Sequence, residues 1–259
     1  MSTILEIMGL RVERGNTVIL DGIDWTVRKG EHWVILGPNG CGKTSMLKSL
    51  TGYLSPSSGS IRVLDQEYGK SDWRELRLHI GIVMSAMQAS IPAAEVGLDT
   101  VISGKYAQLD LWKKHTRADE AEARTFLKSL GVSRLEKREW QFFSQGERQR
   151  ILIARSLMAH PKLLILDEPC SGLDPVAREE FLHFVNALAK KRKGPALILV
   201  THHVEEIAPA FTHALVLRAG TVYATGAKHK VITTRTLTGA FGARIALTRK
   251  AGRYTAALR

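Results

Sequence analysis

The octet Gly37-Pro38-Asn39-Gly40-Cys41-Gly42-Lys43-Thr44 constrains this chain more than any other stretch. It follows a continuous apolar run, Val34-Ile35-Leu36, and precedes a helix-like segment from Ser45 to Leu50. A G-x-x-x-x-G-K-T loop between strand and helix turns its backbone N–H groups inward, around phosphate oxygens. Glycine tolerates the backbone angles this needs, and the N-terminus of the following helix favours the same anion. In that geometry Lys43 reaches the β- and γ-phosphates and the Thr44 hydroxyl ligates a magnesium ion.

Two further apolar runs, Leu163-Leu164-Ile165-Leu166 and Leu197-Ile198-Leu199-Val200, are continuous rather than alternating. Such runs fit strands buried on both faces of a parallel sheet. Each ends in residues capable of chemistry, Asp167-Glu168 and Thr201-His202, and open α/β sheets bind ligands beyond the carboxyl ends of their strands. Asp167 is expected to hold magnesium, and Glu168 to polarise an attacking water. Without the upstream loop, an acidic strand-to-loop junction would be the simpler reading of this pair. The stretch Phe143-Ser144-Gln145-Gly146-Glu147 allows two readings. Ser144 with Glu147 forms a capping box for an amphipathic helix through Ile151, Ala154, Leu157 and Met158. The same N-terminus is also a phosphate-donor surface.

Elsewhere, Ile4 to Val12 and Val18 to Val27 are partly alternating segments around Arg14-Gly15-Asn16, the pattern of antiparallel strands joined by a turn. Ser60 to Leu64 adds a strand after a Ser/Pro/Gly turn. From about Met87 to Phe143 no buried-strand run occurs, and Thr116 to Leu130 reads as a helix ended by Gly131. A further helix follows Asp174-Pro175. The last thirty residues suggest a short β element.

The chain has 259 residues, which suits one α/β domain carrying an inserted subdomain. No run of eighteen apolar residues predicts a membrane span, and the N-terminus lacks a signal-peptide pattern, so a cytoplasmic protein is expected. Cys41 and Cys170 are expected as free thiols. The net charge of +12 suits an anionic partner, or simply solubility. Its densest run, Lys190 to Lys193, is expected to end a helix, where cations complement the dipole.

The order of the motifs resembles the ATP-binding cassette family. The phosphate loop is followed by a helical insertion, then F-S-Q-G-E, L-I-L-D-E-P, Ser171-Gly172-Leu173-Asp174 and Val200-Thr201-His202. The resemblance covers about Leu5 to Gly226. It implies a P-loop NTPase fold of α/β class with a mixed sheet core, an N-terminal antiparallel β subdomain and an inserted α-helical subdomain. The corresponding boundaries are about 1–85 and 160–230 for the core, 86–159 for the helical subdomain and 231–259 for a C-terminal extension. It further implies ATP and Mg2+ as cofactors, with Gly37 to Ser45 around the phosphates and Thr44 and Asp167 on the metal. Lys43, Glu168 and His202 are the implied catalytic residues. His203 has no counterpart and is expected to be structural or solvent-facing. F-S-Q-G-E is similar to the family signature, with Gln145 where Gly is usual and Glu147 where Gln is usual; Ser144 and Gly146 remain in place to face the γ-phosphate.

Two positions depart from the family pattern. The residue that usually stacks on adenine is an aromatic before the first turn glycine; here it is Arg14, whose guanidinium can also stack on a π face. The family's metal-contacting glutamine after Gly81-Ile82-Val83-Met84 is replaced by Ser85, and Gln88 is the nearest glutamine able to serve. The Ser85 to Gln88 stretch and Gly239-Ala240-Phe241-Gly242 resemble molybdate and iron-chelate importers.

In the family, one site is built from two chains. The partners implied are a second ATP-binding subunit, most simply another copy, and a separate transmembrane permease, with the chain on the cytoplasmic face of the membrane. A soluble cassette ATPase acting on nucleic acid, ribosomes or cluster assembly is the weaker alternative, because tandem cassettes are missing.

Overall fold

The computed structural model describes residues 2–106 and 115–259. Residues 107–114, within the expected helical subdomain, lie outside them. The chain opens with β1 (Thr3–Arg14) and β2 (Thr17–Arg28), antiparallel and joined at Gly15-Asn16. Leu5, Ile7, Leu10 and Val12 of β1 and Leu20, Ile23, Trp25 and Val27 of β2 are buried, while residues between them face outward. The short β3 (Trp33–Leu36) leads through the glycine-rich loop into α1 (Lys43–Leu50). Then β4 (Ser58–Val63) and β5 (Gln66–Glu67) complete an antiparallel sheet in the order β2-β1-β4-β5.

After α2 (Trp73–Arg77), β6 (Ile80–Met84) runs into a 3-10 turn over Ser85–Ser90. Helices α3 (Gly97–Ser103), α4 (Arg117–Ser129) and α5 (Gln145–Met158) follow, and no strand occurs between β6 and the end of α5 among the described residues. Thr116, where the sequence led us to expect the helix to begin, caps α4 with a reciprocal box to Asp119. The chain returns through β7 (Leu163–Asp167), α6 (Pro175–Ala189), β8 (Ala196–Thr201), β9 (His213–Arg218) and β10 (Thr221–Ala227). It ends with α7 (Lys228–Val231), α8 (Thr234–Phe241) and the hairpin β11 (Ile245–Lys250)–β12 (Arg253–Leu258). The β element expected near the C-terminus is this hairpin. Helix α6 stops at Ala189, so Lys191 to Lys193 lie past the helix and solvent-exposed; only Lys190 sits at its cap.

The second sheet has the order β10-β9-β3-β8-β7-β6; β6, β7, β8, β3 and β9 are parallel and β10 is antiparallel. Its apolar runs serve two cores at once. Val34, Leu36, Leu164, Leu166, Leu197 and Leu199 pack with α3 to α6. Their alternates Trp33, Ile35, Leu163, Ile165, Ile198 and Val200 pack with α1 and the antiparallel sheet. Each fully buried Leu or Ile contributes roughly 1.5–3 kcal/mol, so neither face tolerates a polar substitution. This two-sided burial is why the runs are continuous.

Candidate functional site

The register of the parallel strands aligns their carboxyl ends. Leu36 pairs with Thr201, and Asp167 pairs with both Val200 and Met84. Gly37, Glu168 and His202 therefore leave the sheet along one edge.

The glycine-rich loop has little room. A Cβ on Gly37 would lie 2.4 Å from the Leu217 carbonyl oxygen and 2.6 Å from Cys41 Sγ. Gly42 has a φ of 104°, and a Cβ there would meet Leu20 Cδ2 at 2.5 Å. The loop is braced from within, where Cys41 N donates to Pro38 O (3.3 Å), and from outside, where Gly220 N, in the β9–β10 turn, donates to Cys41 O (3.2 Å). Lys43 is buried, and its Nζ donates to Gly37 O (2.8 Å) and Pro38 O (3.1 Å). Asn39, Gly40 and Thr44 are exposed and Ser45 is half-buried. The ammonium is thus fixed within the loop, while the Thr44 hydroxyl is open to a ligand. Cys41 is buried, and that burial pushes its thiol pKa up, which keeps it unreactive.

Asp167 ends β7 only partly exposed. Burial, reinforced by the charge of Glu168, pushes its pKa up to about 6, against the pull of Lys43 and Lys48. A carboxylate held in that state suits a hard divalent cation, which restores the charged form. Thr44 and Asp167 are the residues that would hold it, and it would neutralise charge on a bound polyphosphate. Glu168 adopts a φ of 47°, a left-handed conformation that is uncommon for a non-glycine residue and concentrated at functional sites. Its N–H donates to Val200 O (2.9 Å), which pins the turn. The carboxylate comes within 3.2 Å of His202 Nδ1. His203 is exposed, with its ring against that of His202 at a centroid separation of 4.0 Å.

Ser144 caps α5, and both capping-box bonds form: Glu147 N to Ser144 Oγ (3.3 Å) and Ser144 N to Glu147 Oε2 (2.8 Å). The structural reading of this motif therefore holds. Buried Phe143 anchors its start, edge-on to Trp140 at 5.6 Å. Yet Ser144 stays exposed. With Gly146 it lines a pocket of about 330 Å³ whose other wall is Gly172, Leu173 and Asp174. No residue of the phosphate loop lines that pocket.

Arg14 and Gln88 lie on other elements, the β1–β2 hairpin and the 3-10 turn after β6. Arg14 is exposed at the tip of the β1–β2 hairpin and lines a cleft of about 780 Å³ with Lys48, Tyr53, Met84 and Met87. Gln88 lies in the turn after β6, where its carbonyl accepts from Trp140 Nε1 (3.3 Å) and its side-chain Nε2 is buried without a hydrogen-bond partner. Since Met84 is the residue paired with Asp167, Ser85 follows next in line and Gln88 lies a turn further on. Sequence reasoning missed the outer neighbours of the loop, Leu217 and Gly220, because backbone contacts from a distant strand and turn leave no local pattern.

Three strand ends, a braced glycine loop and a capped helix facing outward define a nucleotide-binding P-loop cassette. The ABC transporter family model matches residues 20–171. The chain is 40% identical over 239 residues to the ABC transporter ATP-binding protein YlmA of Bacillus subtilis, spanning 92% of this chain and 90% of that one. It is 32% identical over 222 residues to the energy-coupling factor transporter ATP-binding protein EcfA of Methanoculleus marisnigri, spanning 86% and 78%. Among solved structures, one assigned to a metal-chelate type ABC transporter, in an inward-facing conformation, superposes with a TM-score of 0.80 at 25% identity, covering 100% of this chain and 97% of that one. The cbiO1 subunit of Clostridium perfringens, part of a cbiONQ transporter complex, gives 0.78 at 28% identity, covering 92% and 94%. The chain belongs to the ABC transporter ATP-binding family.

Proposed function

We propose that this chain hydrolyses Mg-ATP as one half of a nucleotide-clamped dimer and so powers a transporter whose membrane-spanning part is a separate chain. The observation that carries this reading is the division of the site. Lys43, Asp167, Glu168 and His202 gather at one sheet edge, while Ser144 and Gly146 line a different pocket. A second copy, turned to face the first, brings its Ser144 and Gly146 onto the γ-phosphate. In that arrangement the Glu168 carboxylate polarises the attacking water, and His202 orients at the γ-phosphoryl group. Lys43 and the loop amides stabilise the charge that develops there. Thr44 and Asp167 would hold the metal, which would supply Lewis-acid neutralisation of the phosphate charge.

No helix among the described residues is long and apolar enough to cross a membrane, which fits a separate permease. The 780 Å³ cleft exposes Tyr53 (59%) and Leu78 (39%) between the sheet edge at β6 and the helices. An open groove that sets these side chains among the charged Arg14, Lys48, Glu75 and Arg77 suits a short amphipathic helix from that partner. The likeness to a metal-chelate type transporter supports a metal chelate as the cargo class. Residues 86–159 form the helical subdomain in this reading, and 231–259 an extension to the core.

Two measurements test it. Light scattering with Mg-ATP is expected to show a dimer of the Glu168→Gln variant; a monomer under saturating nucleotide contradicts the clamp. Tagged protein purified from detergent-solubilised membranes is expected to bring down a multispan protein; recovery of ribosomes or nucleic acid instead would favour a soluble cassette ATPase.

A further inference from the structure

The C-terminal hairpin grips the segment that carries His202. A 3-10 turn, Val204–Glu206, follows that histidine almost directly, and β12 packs on it. Arg253, the first residue of β12, spreads its guanidinium across two elements. Nη1 donates to Glu179 Oε2 (2.5 Å) and Nη2 to Glu179 Oε1 (3.0 Å), on α6; Nη2 also donates to the Glu205 carbonyl (3.0 Å). Further along β12, Ala256 N donates to Glu205 Oε1 (2.8 Å), so Glu205 is held by both main chain and side chain. The other end of the segment is tied as well. Thr201 Oγ1 donates to buried Glu206 (2.6 Å) and accepts from His203 N (3.0 Å). His202 projects from between these two anchors towards Glu168.

The arrangement has a second arm. Asp174 caps α6 by accepting from Val176 N and Ala177 N, and Glu179 lies just over one turn further along the same helix. One guanidinium thus links the His202 segment to the helix that begins at the Ser171–Asp174 loop. No acidic residue occurs after Glu206, so the carboxylate Arg253 binds must come from another part of the fold. A planar fork with two parallel bonds fixes angle as well as distance, which a lysine ammonium cannot do.

We propose that Arg253 is a positioning residue for hydrolysis: the C-terminal hairpin holds the Val204–Glu206 turn against α6, and this keeps His202 in line with Glu168. The proposal rests on the reading of the site as an ATP hydrolase. Its test is a double-mutant cycle in the full-length protein, with single-turnover hydrolysis of ATP and nucleotide affinity by calorimetry as readouts. Arg253→Ala is expected to lower the hydrolysis rate about tenfold and to leave affinity within about twofold; in a His202→Ala background the same substitution is expected to add less than about twofold. Arg253→Lys is expected to recover little of the rate, and Glu179→Gln to lower it in the same direction. An equal loss in both backgrounds would assign Arg253 to general stability and overturn the proposal, as would a wild-type rate for Arg253→Ala. If circular dichroism shows Arg253→Ala unfolded, Glu179→Gln takes its place in the cycle under the same criteria. A wild-type protein that binds ATP and never turns it over would overturn the hydrolase reading itself, a result distinct from either of these.

Discussion

His202 Nδ1 lies 3.2 Å from Glu168 Oε1, although 34 residues separate them in sequence. The contact joins two groups that follow neighbouring strands, β8 and β7, at the same edge. Glu168→Gln keeps the shape and the hydrogen-bonding reach but removes the basic carboxylate. Turnover is expected to fall by roughly a hundred- to ten-thousandfold, the range of a lost general base. Nucleotide affinity is expected to persist. Phosphate-release assays beside calorimetry check both; a variant that still turns over at the wild-type rate removes Glu168 from the chemistry.

Lys43→Ala removes a buried ammonium held by two loop carbonyls. Loss of ATP affinity by about a hundredfold, ~3 kcal/mol, is expected. Unchanged heats of binding would contradict the phosphate-loop assignment.

Gly37→Ala tests the ceiling over the loop. Its methyl group would overlap the Leu217 carbonyl oxygen at 2.4 Å, and backbone cannot yield as a flexible side chain does. Destabilisation of about 1–3 kcal/mol is expected, read from urea melts, together with loss of nucleotide binding. Gly40→Ala meets no atom within 4 Å, so its cost arises from the φ of 77° alone and is expected to be smaller.

The two roles of Ser144 separate under substitution. Ser144→Ala removes the cap on α5 and is expected to cost about 1 kcal/mol of stability. Ser144→Asp keeps a good cap and adds charge that complements the helix dipole. It is therefore expected to be as stable as wild type, yet to fail to dimerise with Mg-ATP, because the new carboxylate repels the γ-phosphate. Normal ATP-driven dimers of Ser144→Asp would confine Ser144 to capping.

How far the sequence reveals this fold depends on how local each determinant is. The three apolar runs identified from sequence are β3, β7 and β8, adjacent in the sheet, because burial on both faces leaves an uninterrupted signal. Strand β9 gave no such signal: its buried residues Ala214 to Leu217 are flanked by His213 and Arg218, without a chemical motif at the end. The phosphate loop, the capping box of α5 and the start of α4 at Thr116 were legible because each is written within a few residues. Arg14 and Gln88 could be assigned only by position in a motif; Arg14 lines the large cleft together with Lys48, and the Gln88 carbonyl accepts from Trp140 Nε1. The Arg253 clamp joins residues 74 and 48 positions apart, beyond the reach of any local pattern.

Lys228 offers a test of stability against pH. It is buried, with Nζ donating to Pro209 O (3.1 Å). Burial, then repulsion from Arg249, lowers its pKa from the ordinary 10.5 to about 8. Between these values the unfolded chain holds the proton that the folded chain has released, so stability rises with pH across that window. The stability of wild type relative to Lys228→Met is expected to improve from pH 8 towards pH 10, as measured by chemical denaturation. A flat difference would show that the folded ammonium keeps its ordinary affinity for the proton.

The carbonyls of Gly37 and Pro38 have a consequence for the speed and tightness of nucleotide capture. A free lysine arm samples many rotamers, and freezing it costs up to ~2 kcal/mol. Here that ordering takes place when the chain folds, so an arriving triphosphate meets a charge already at rest and loses none of its affinity to immobilising it.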